Sequence, residues 1–271
     1  MSVSEQLKWL LILLVSADLC LGATETPGSP KPVVCESAKA FRGGKLHSAP
    51  PRKVWSAAAG SLDGALDAAT VQRLERALQT ALAVTEAPSM TVAVGIPGRG
   101  LWMRTTNQPA PTNWPLPRWF WFASAGKTFT AVVILQLVEE KKLKLDDKLA
   151  RWFPDYPNAR AITIDHLLTH TSGCYSFQND PGFRADPGYK SPAELIAISR
   201  ALGNAFCPGE YWSYSNTGYV LLGRIVEEIE GRPFHEVLTA RIIQRLGLQN
   251  TKALAPREAV AGLAPAHPAG T

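Results

Sequence analysis

Ser124-Ala-Gly-Lys127 sets a hydroxyl and an amine three residues apart at the start of an apolar stretch. On a helix, positions i and i+3 are neighbours, so the two side chains would share one face. A serine hydroxyl attacks an acyl carbon when a nearby base takes its proton, and a neutral lysine amine within hydrogen-bond reach can do that. Far along the chain, Tyr214-Ser-Asn216 offers a phenol that can pass a proton and a carboxamide that both donates and accepts. Either motif alone is weak. In this order they point to acyl transfer through a serine ester, with Ser124 as nucleophile, Lys127 and Tyr214 as proton carriers and Asn216 as the substrate grip.

Each residue also has a plainer role. Ser124 could simply cap a helix, although at that position its backbone N–H also points outward as half of an oxyanion hole. Lys127 could reach to solvent, but an early-turn cation opposes the helix dipole, and burial between Phe122 and Phe129 would further favour the uncharged amine. Tyr214 could be a packing residue and Asn216 a helix cap. His166 and His170 stand four apart, the spacing of a metal pair, yet Leu167 follows where a metalloprotease motif has glutamate. They are expected to cap and pack a short helix. Asp146 and Asp147 are expected to start another short helix. No cysteine spacing resembles a zinc site, and no metal or organic cofactor is implied.

The elements that must hold these groups follow from periodicity. Residues 62–84 carry Leu74, Leu78, Ala81 and Leu82 on one helical stripe. Ser89 to Ile96 and Leu101 to Thr105 read as strands joined by Pro97-Gly-Arg-Gly100, a hairpin. Helices are expected from Ser124 to about Lys141, and at 164–170, 191–202, 216–229 and 233–246. The third of these opens on a capping box, Ser191-Pro-Ala-Glu194. Cys207-Pro-Gly-Glu-Tyr-Trp212 is a turn that would deliver the Tyr-Ser-Asn motif into a cleft. A lone hairpin is marginal, so this outline lacks the rest of its sheet.

Composition bounds the rest. With 271 residues and 46% hydrophobic content, the chain can bury a sizeable core as one large domain or two lobes. Eight tryptophans hint at an aromatic-lined cleft. Residues 1–23 read as an export signal, with an apolar run from Leu7 to Val15 and small residues at Gly22 and Ala23. Residues 24–61 read as a Pro/Gly-rich linker holding six lysines and arginines against Glu25 and Glu36. Most of the net charge of +5 therefore belongs to this tail. The tail is a solvated spacer that could make weak contact with an anionic envelope. Nucleic-acid binding has little support, because the rest of the chain shows no basic helix or aromatic-basic motif. The protein is expected to be exported, to a periplasmic or extracellular location, with membrane association left open. An exported chain keeps disulfides. Cys174 and Cys207 flank the segment before the Tyr-Ser-Asn motif, and a bridge between them would brace the site, leaving Cys35 as a free or intermolecular thiol.

Ser124-x-x-Lys127, His166-Leu-Leu-Thr-His-Thr-Ser-Gly173 and Pro208-Gly-Glu-Tyr-Trp-Ser-Tyr214-Ser-Asn216-Thr-Gly-Tyr219 together resemble the β-lactamase-related serine hydrolases. That family includes class C β-lactamases, D-alanyl-D-alanine carboxypeptidases, D-aminopeptidases and similar esterases. The resemblance covers about residues 62–265 and implies an α+β fold, an antiparallel sheet flanked by helices beside an all-helical lobe. It implies that Ser124, Lys127 and Tyr214 carry acylation and that Asn216 orients substrate, a D-Ala peptide, a β-lactam or a small ester. The domain expected at 62–271 departs from the family in one respect. The third motif, a Lys or His followed two residues on by Gly, is missing, and His267-Pro-Ala-Gly270 has the wrong spacing. The expectation is a chain lacking its C-terminal strands and poorly active as it stands. A silent envelope-associated binding protein is the alternative from another class.

Overall fold

The structure, a computed structural model, describes residues 32–44, 62–85, 87, 89–107, 119–186 and 188–263. The expected export signal lies outside them, as do 24–31 and 45–61 of the expected linker. The chain divides into two compact units, one formed by Met1–Arg42 with Glu140–Ile225 and the other by Gly43–Glu139 with Val226–Thr271.

In the second unit, helix α1 (Ala68–Thr85) is built from strong helix formers. It begins later than periodicity suggested because Asp67 caps it. The Asp67 carboxylate accepts from Thr70 N–H and from Thr70 Oγ1, each at 2.8 Å. That hydrogen bonding, the backbone contact first, holds the Asp67 carboxyl below the usual range. Strands β1 (Ser89–Ile96) and β2 (Gly100–Asn107) form an antiparallel hairpin, with Val94 opposite Trp102. The hairpin buries Val94 and Trp102 with Leu66 and Leu78, and Val71, Leu74 and Leu82 of α1 pack onto that cluster. Its outer face leaves Leu101 and Met103 exposed. Two strands are the whole sheet among the described residues.

The same unit holds α2 (Lys127–Glu139), whose Val133, Ile134 and Leu137 are fully buried. It packs on α7 (Phe234–Leu238) and on the π-turn Thr239–Gln244 that continues α7. Periodicity suggested one helix across 233–246; the backbone instead widens at Thr239. There Arg241 lays its guanidinium along the Glu230 carboxylate, Nη2 donating to Oε1 at 2.8 Å and Nε to Oε2 at 3.1 Å.

The first unit is mostly helical. Its core is Leu143, Leu149, Ile162, Ile164, Leu167, Leu221, Leu222 and Ile225, none more than 1% exposed. Asp147 opens a turn, its carboxylate accepting from Lys144 N–H at 2.9 Å and from Arg151 Nη1 at 3.2 Å, before the 3₁₀ turn Leu149–Arg151. Helix α3 (Ile164–Leu168) carries the expected histidine cap. Thr163 N–H donates to His166 Nδ1 and His166 N–H donates to Thr163 Oγ1, both at 3.2 Å. Helix α4 spans Pro181–Ala185, and α5 (Pro192–Leu202) begins with the capping box read at Ser191 and Glu194. Helix α6 (Asn216–Glu230) starts directly after Ser215.

Two expectations are corrected here. The disulfide joins Cys35 to Cys207, while Cys174 is a free buried thiol. Burial pushes the Cys174 thiol up and keeps it protonated. Residues 32–42, part of the stretch expected to be a spacer, form a strap on this unit. Val33 N–H donates to Asn204 O at 3.1 Å, Lys39 N–H to Pro208 O at 2.8 Å and Arg42 N–H to Glu210 O at 2.8 Å. Asn158 clamps the strap from below, its Nδ2 donating to Val33 O at 2.7 Å and its Oδ1 accepting from Cys35 N–H at 2.8 Å.

Candidate active site

Ser124 sits on a 3₁₀ turn, Ala123–Gly126, that runs into α2. A 3₁₀ turn has three residues per revolution, so side chains at i and i+3 eclipse one another. The turn therefore stacks Lys127 over Ser124 more directly than an α-helix would, and Lys127 Nζ lies 3.2 Å from Ser124 Oγ as a hydrogen-bond donor. Ser124 is exposed and Lys127 half-buried. Ala123, just before the serine, has φ of 45°, a left-handed conformation that strains a residue with a Cβ. That kink throws the serine outward. Phe122 and Phe129 meet with ring centroids 5.5 Å apart beside the turn.

The segment leading to Ser124 is aromatic. Trp119, Phe120, Trp121 and Phe122 wall a largely apolar cavity of about 670 Å³ that also touches Ala123, Lys252 and Leu263. Trp119 is tied by its N–H to Gly262 O at 3.0 Å, and Lys252 Nζ stands 4.6 Å over its ring. The aromatic cleft suggested by the tryptophan count thus exists in this unit, next to the serine.

Tyr214 and Asn216 belong to the other unit, where a loop and a helix start hold them. The turn Cys207–Glu210 is closed by Glu210 N–H donating to Cys207 O at 3.0 Å, as the Pro-Gly pair suggested. Gly209 has φ of 86°, and a Cβ there would come within 2.5 Å of the Lys39 carbonyl oxygen of the strap. Ser215, 1% exposed, caps α6 by accepting from Gly218 N–H at 3.4 Å. Capping therefore falls to Ser215, and the Asn216 carboxamide donates instead to Gln178 Oε1. Asn216 N–H donates to Ser176 Oγ at 3.2 Å, and Thr217 Oγ1 donates to Tyr175 O at 2.9 Å, so the segment Tyr175–Gln178 is laced to the start of α6.

Tyr214 is 39% exposed, and its ring lies against His170 with centroids 4.5 Å apart. Tyr219 also lies near the His170 ring, with centroids 5.2 Å apart, and donates its hydroxyl to Leu168 O at 3.1 Å. Burial, with Tyr214 adjacent, pushes the Tyr219 phenol up, which leaves it a neutral donor. The structure brings Ser124 to Lys127 in one unit, and gathers Tyr214 and Asn216 with His170 and Gln178 in the other. Gln178 carried no signal in the sequence. His166 performs the capping role read for it, and burial lowers its pKa. Among the described residues, no cluster of three or more His, Cys, Asp or Glu could hold a metal ion.

An eclipsed serine–lysine pair at a strained turn, and a Tyr-x-Asn motif at a helix start, define a class on their own terms. The beta-lactamase family profile matches residues 71–270, and the chain belongs to that family. Its fold is that of the family, α+β with an antiparallel sheet. Among relatives, it is 35% identical over 147 residues to penicillin-binding protein 4 of Amycolatopsis lactamdurans, covering 52% of this chain and 37% of that protein. It is 32% identical over 154 residues to esterase EstB of Burkholderia gladioli, covering 48% and 37%. Among solved structures, a D-stereospecific amidohydrolase from Streptomyces sp. superposes with a TM-score of 0.57 at 35% identity, over 68% of this chain and 55% of that one. The chain thus spans about a third of the length of the curated relatives it matches.

Proposed function

We propose that this protein is an exported serine hydrolase that opens an amide or ester bond through an acyl-enzyme on Ser124. The observation that carries the reading is the 3.2 Å approach of Lys127 Nζ to Ser124 Oγ on an eclipsed turn. In acylation Oγ gives its proton to the Lys127 amine as it bonds to the acyl carbon, and that proton passes on to the leaving amine or alkoxide as the acyl bond breaks. Tyr214 is the second proton carrier, and water activated through Tyr214 or Lys127 releases the acyl group. Asn216, steered by Gln178, orients the substrate.

The first substrate class is a D-Ala peptide or a β-lactam, supported by likeness to a penicillin-binding protein and to a D-stereospecific amidohydrolase. A small ester is the second, supported by likeness to esterase EstB and by the apolar cavity beside Ser124. Export is supported by the Cys35–Cys207 disulfide, since such bonds persist in oxidising compartments. No helix among the described residues is long and apolar enough to cross a membrane.

The test is hydrolysis of a panel containing a D-Ala-D-Ala peptide, a D-amino acid amide, a chromogenic cephalosporin and p-nitrophenyl butyrate. At least one should turn over, and Ser124→Ala should lower kcat by about 10³-fold or more. Equal turnover by Ser124→Ala would reject the nucleophile.

A further inference from the structure

We propose that His170 is a positioning residue that sets the orientation of the Tyr214 phenol, an inference that rests on Tyr214 being the proton carrier proposed above. His170 grips both peptide neighbours of that tyrosine. Its carbonyl accepts from Ser213 N–H at 3.0 Å, and its ring Nδ1 accepts from Ser215 N–H at 3.2 Å. Between those two bonds its ring stacks on Tyr214 itself, at 4.5 Å and an interplanar angle of 34°. Tyr219 also lies against the ring, at 5.2 Å and 33°, and Trp212 meets it edge-on at 6.1 Å. One residue thus fixes the backbone before Tyr214, the backbone after it and the plane of its ring.

The backbone at His170 explains how it reaches. α3 ends at Leu168, and His170 turns to φ of 59°, so it leaves the helix face it would share with His166. Histidine is among the few residues with a Cβ that enter this left-handed region with some ease, together with asparagine and aspartate. Accepting at Nδ1 also fixes the tautomer, with the proton of the neutral ring on Nε2. Asparagine can keep the left-handed turn and place Oδ1 near the position of Nδ1, but it offers no ring. Phenylalanine keeps the ring and loses the acceptor. No other residue type supplies the turn, the acceptor and the stacking plane at once.

The test compares His170→Asn, His170→Phe, Tyr214→Phe and the His170→Phe/Tyr214→Phe double variant, using p-nitrophenyl butyrate or whichever panel substrate is turned over. A displacement of about 1 Å at a catalytic group can cost 10²-fold in rate. His170→Phe should therefore lower kcat by about 10- to 100-fold with KM within twofold, and His170→Asn, which keeps the turn and the acceptor but not the ring, should recover part of that loss. On the Tyr214→Phe background, His170→Phe should change kcat by less than about twofold, because its effect runs through the phenol. If Tyr214→Phe retains full activity, the role of Tyr214 falls and the inference falls with it. If Tyr214→Phe is impaired while His170→Phe is not, the inference alone falls. A His170→Phe loss that persists undiminished on the Tyr214→Phe background would show a merely structural role and overturn it as well. Amide hydrogen exchange gives a readout independent of turnover. The Ser215 amide should lose protection in His170→Phe and keep it in His170→Asn; unchanged protection in both would overturn the clamp.

Discussion

Removing Cys35 should destabilise the unit that holds Tyr214, and the size of the effect follows from the chain length that the bond closes. The cysteines are 172 residues apart, so the bond removes a large loop entropy from the unfolded chain. A chain-entropy account gives about 5 kcal/mol for a loop of that size, and native bonds in practice contribute about 2–5 kcal/mol. Cys35→Ser also frees the strap, whose backbone bonds to Asn204, Pro208 and Glu210 then have to hold it unaided. The assay is guanidinium denaturation of the parent, Cys35→Ser, Cys207→Ser and Cys174→Ala proteins, each with and without reductant. The parent and Cys174→Ala should lose about 2–5 kcal/mol on reduction, read as a lower denaturation midpoint. Cys35→Ser and Cys207→Ser should begin at the lower value and ignore reductant. Reductant sensitivity that survives in Cys35→Ser but disappears in Cys174→Ala would refute the pairing and the strap together.

Other outcomes follow from single contacts. Burial lowers the His166 pKa below the ordinary value near 6.5, so between those values the unfolded chain binds a proton that the folded chain does not. Its contribution is fully present above pH 6.5 and is lost as pH falls through the folded value; urea titrations at pH 7.5 and 5 should show that loss, and His166→Asn should flatten it. Arg241→Met should cost about 1–3 kcal/mol, because it removes the two charge-assisted bonds that Arg241 makes to the Glu230 carboxylate, 8% exposed, which Arg232 Nη2 also approaches at 3.5 Å. Glu230→Leu added to Arg241→Met should restore most of this in thermal melts; a single variant costing under about 1 kcal/mol would deny the pair its role. Gly209→Ala should cost about 1–3 kcal/mol, since it combines a positive φ with a clash against Lys39 O, and a neutral result would mean the strap is not held there.

What the sequence disclosed was local. The β1–β2 hairpin, the Ser191 capping box and the serine–lysine spacing each depend on residues within a few positions, and all three stand in the structure. The disulfide was not legible in the same way. Three cysteines allowed several pairings, and proximity along the chain favoured Cys174, whereas the partner of Cys207 arrives on a strap anchored by Asn158 and Asn204. Composition reads such a segment as spacer because its hold comes from backbone bonds to distant residues. His170 hid for a different reason. Its spacing from His166 implies a shared helix face, but the helix stops at Leu168 and the turn to positive φ redirects the ring onto Tyr214. The π-turn after Leu238 escaped notice because widening the helix by one residue barely alters the apolar pattern of Ile242 and Ile243.

The central claim is that Ser124 takes up an acyl group with the help of Lys127. The direct measurement is intact-mass spectrometry of the purified protein after exposure to a penicillin and, separately, to a serine-directed fluorophosphonate, followed by peptide mapping. The account predicts a one-to-one adduct on the peptide containing Ser124, absent in Ser124→Ala and formed about 10²-fold or more slowly in Lys127→Ala. An adduct that persists in Ser124→Ala, or a folded protein that neither reagent modifies, would contradict it.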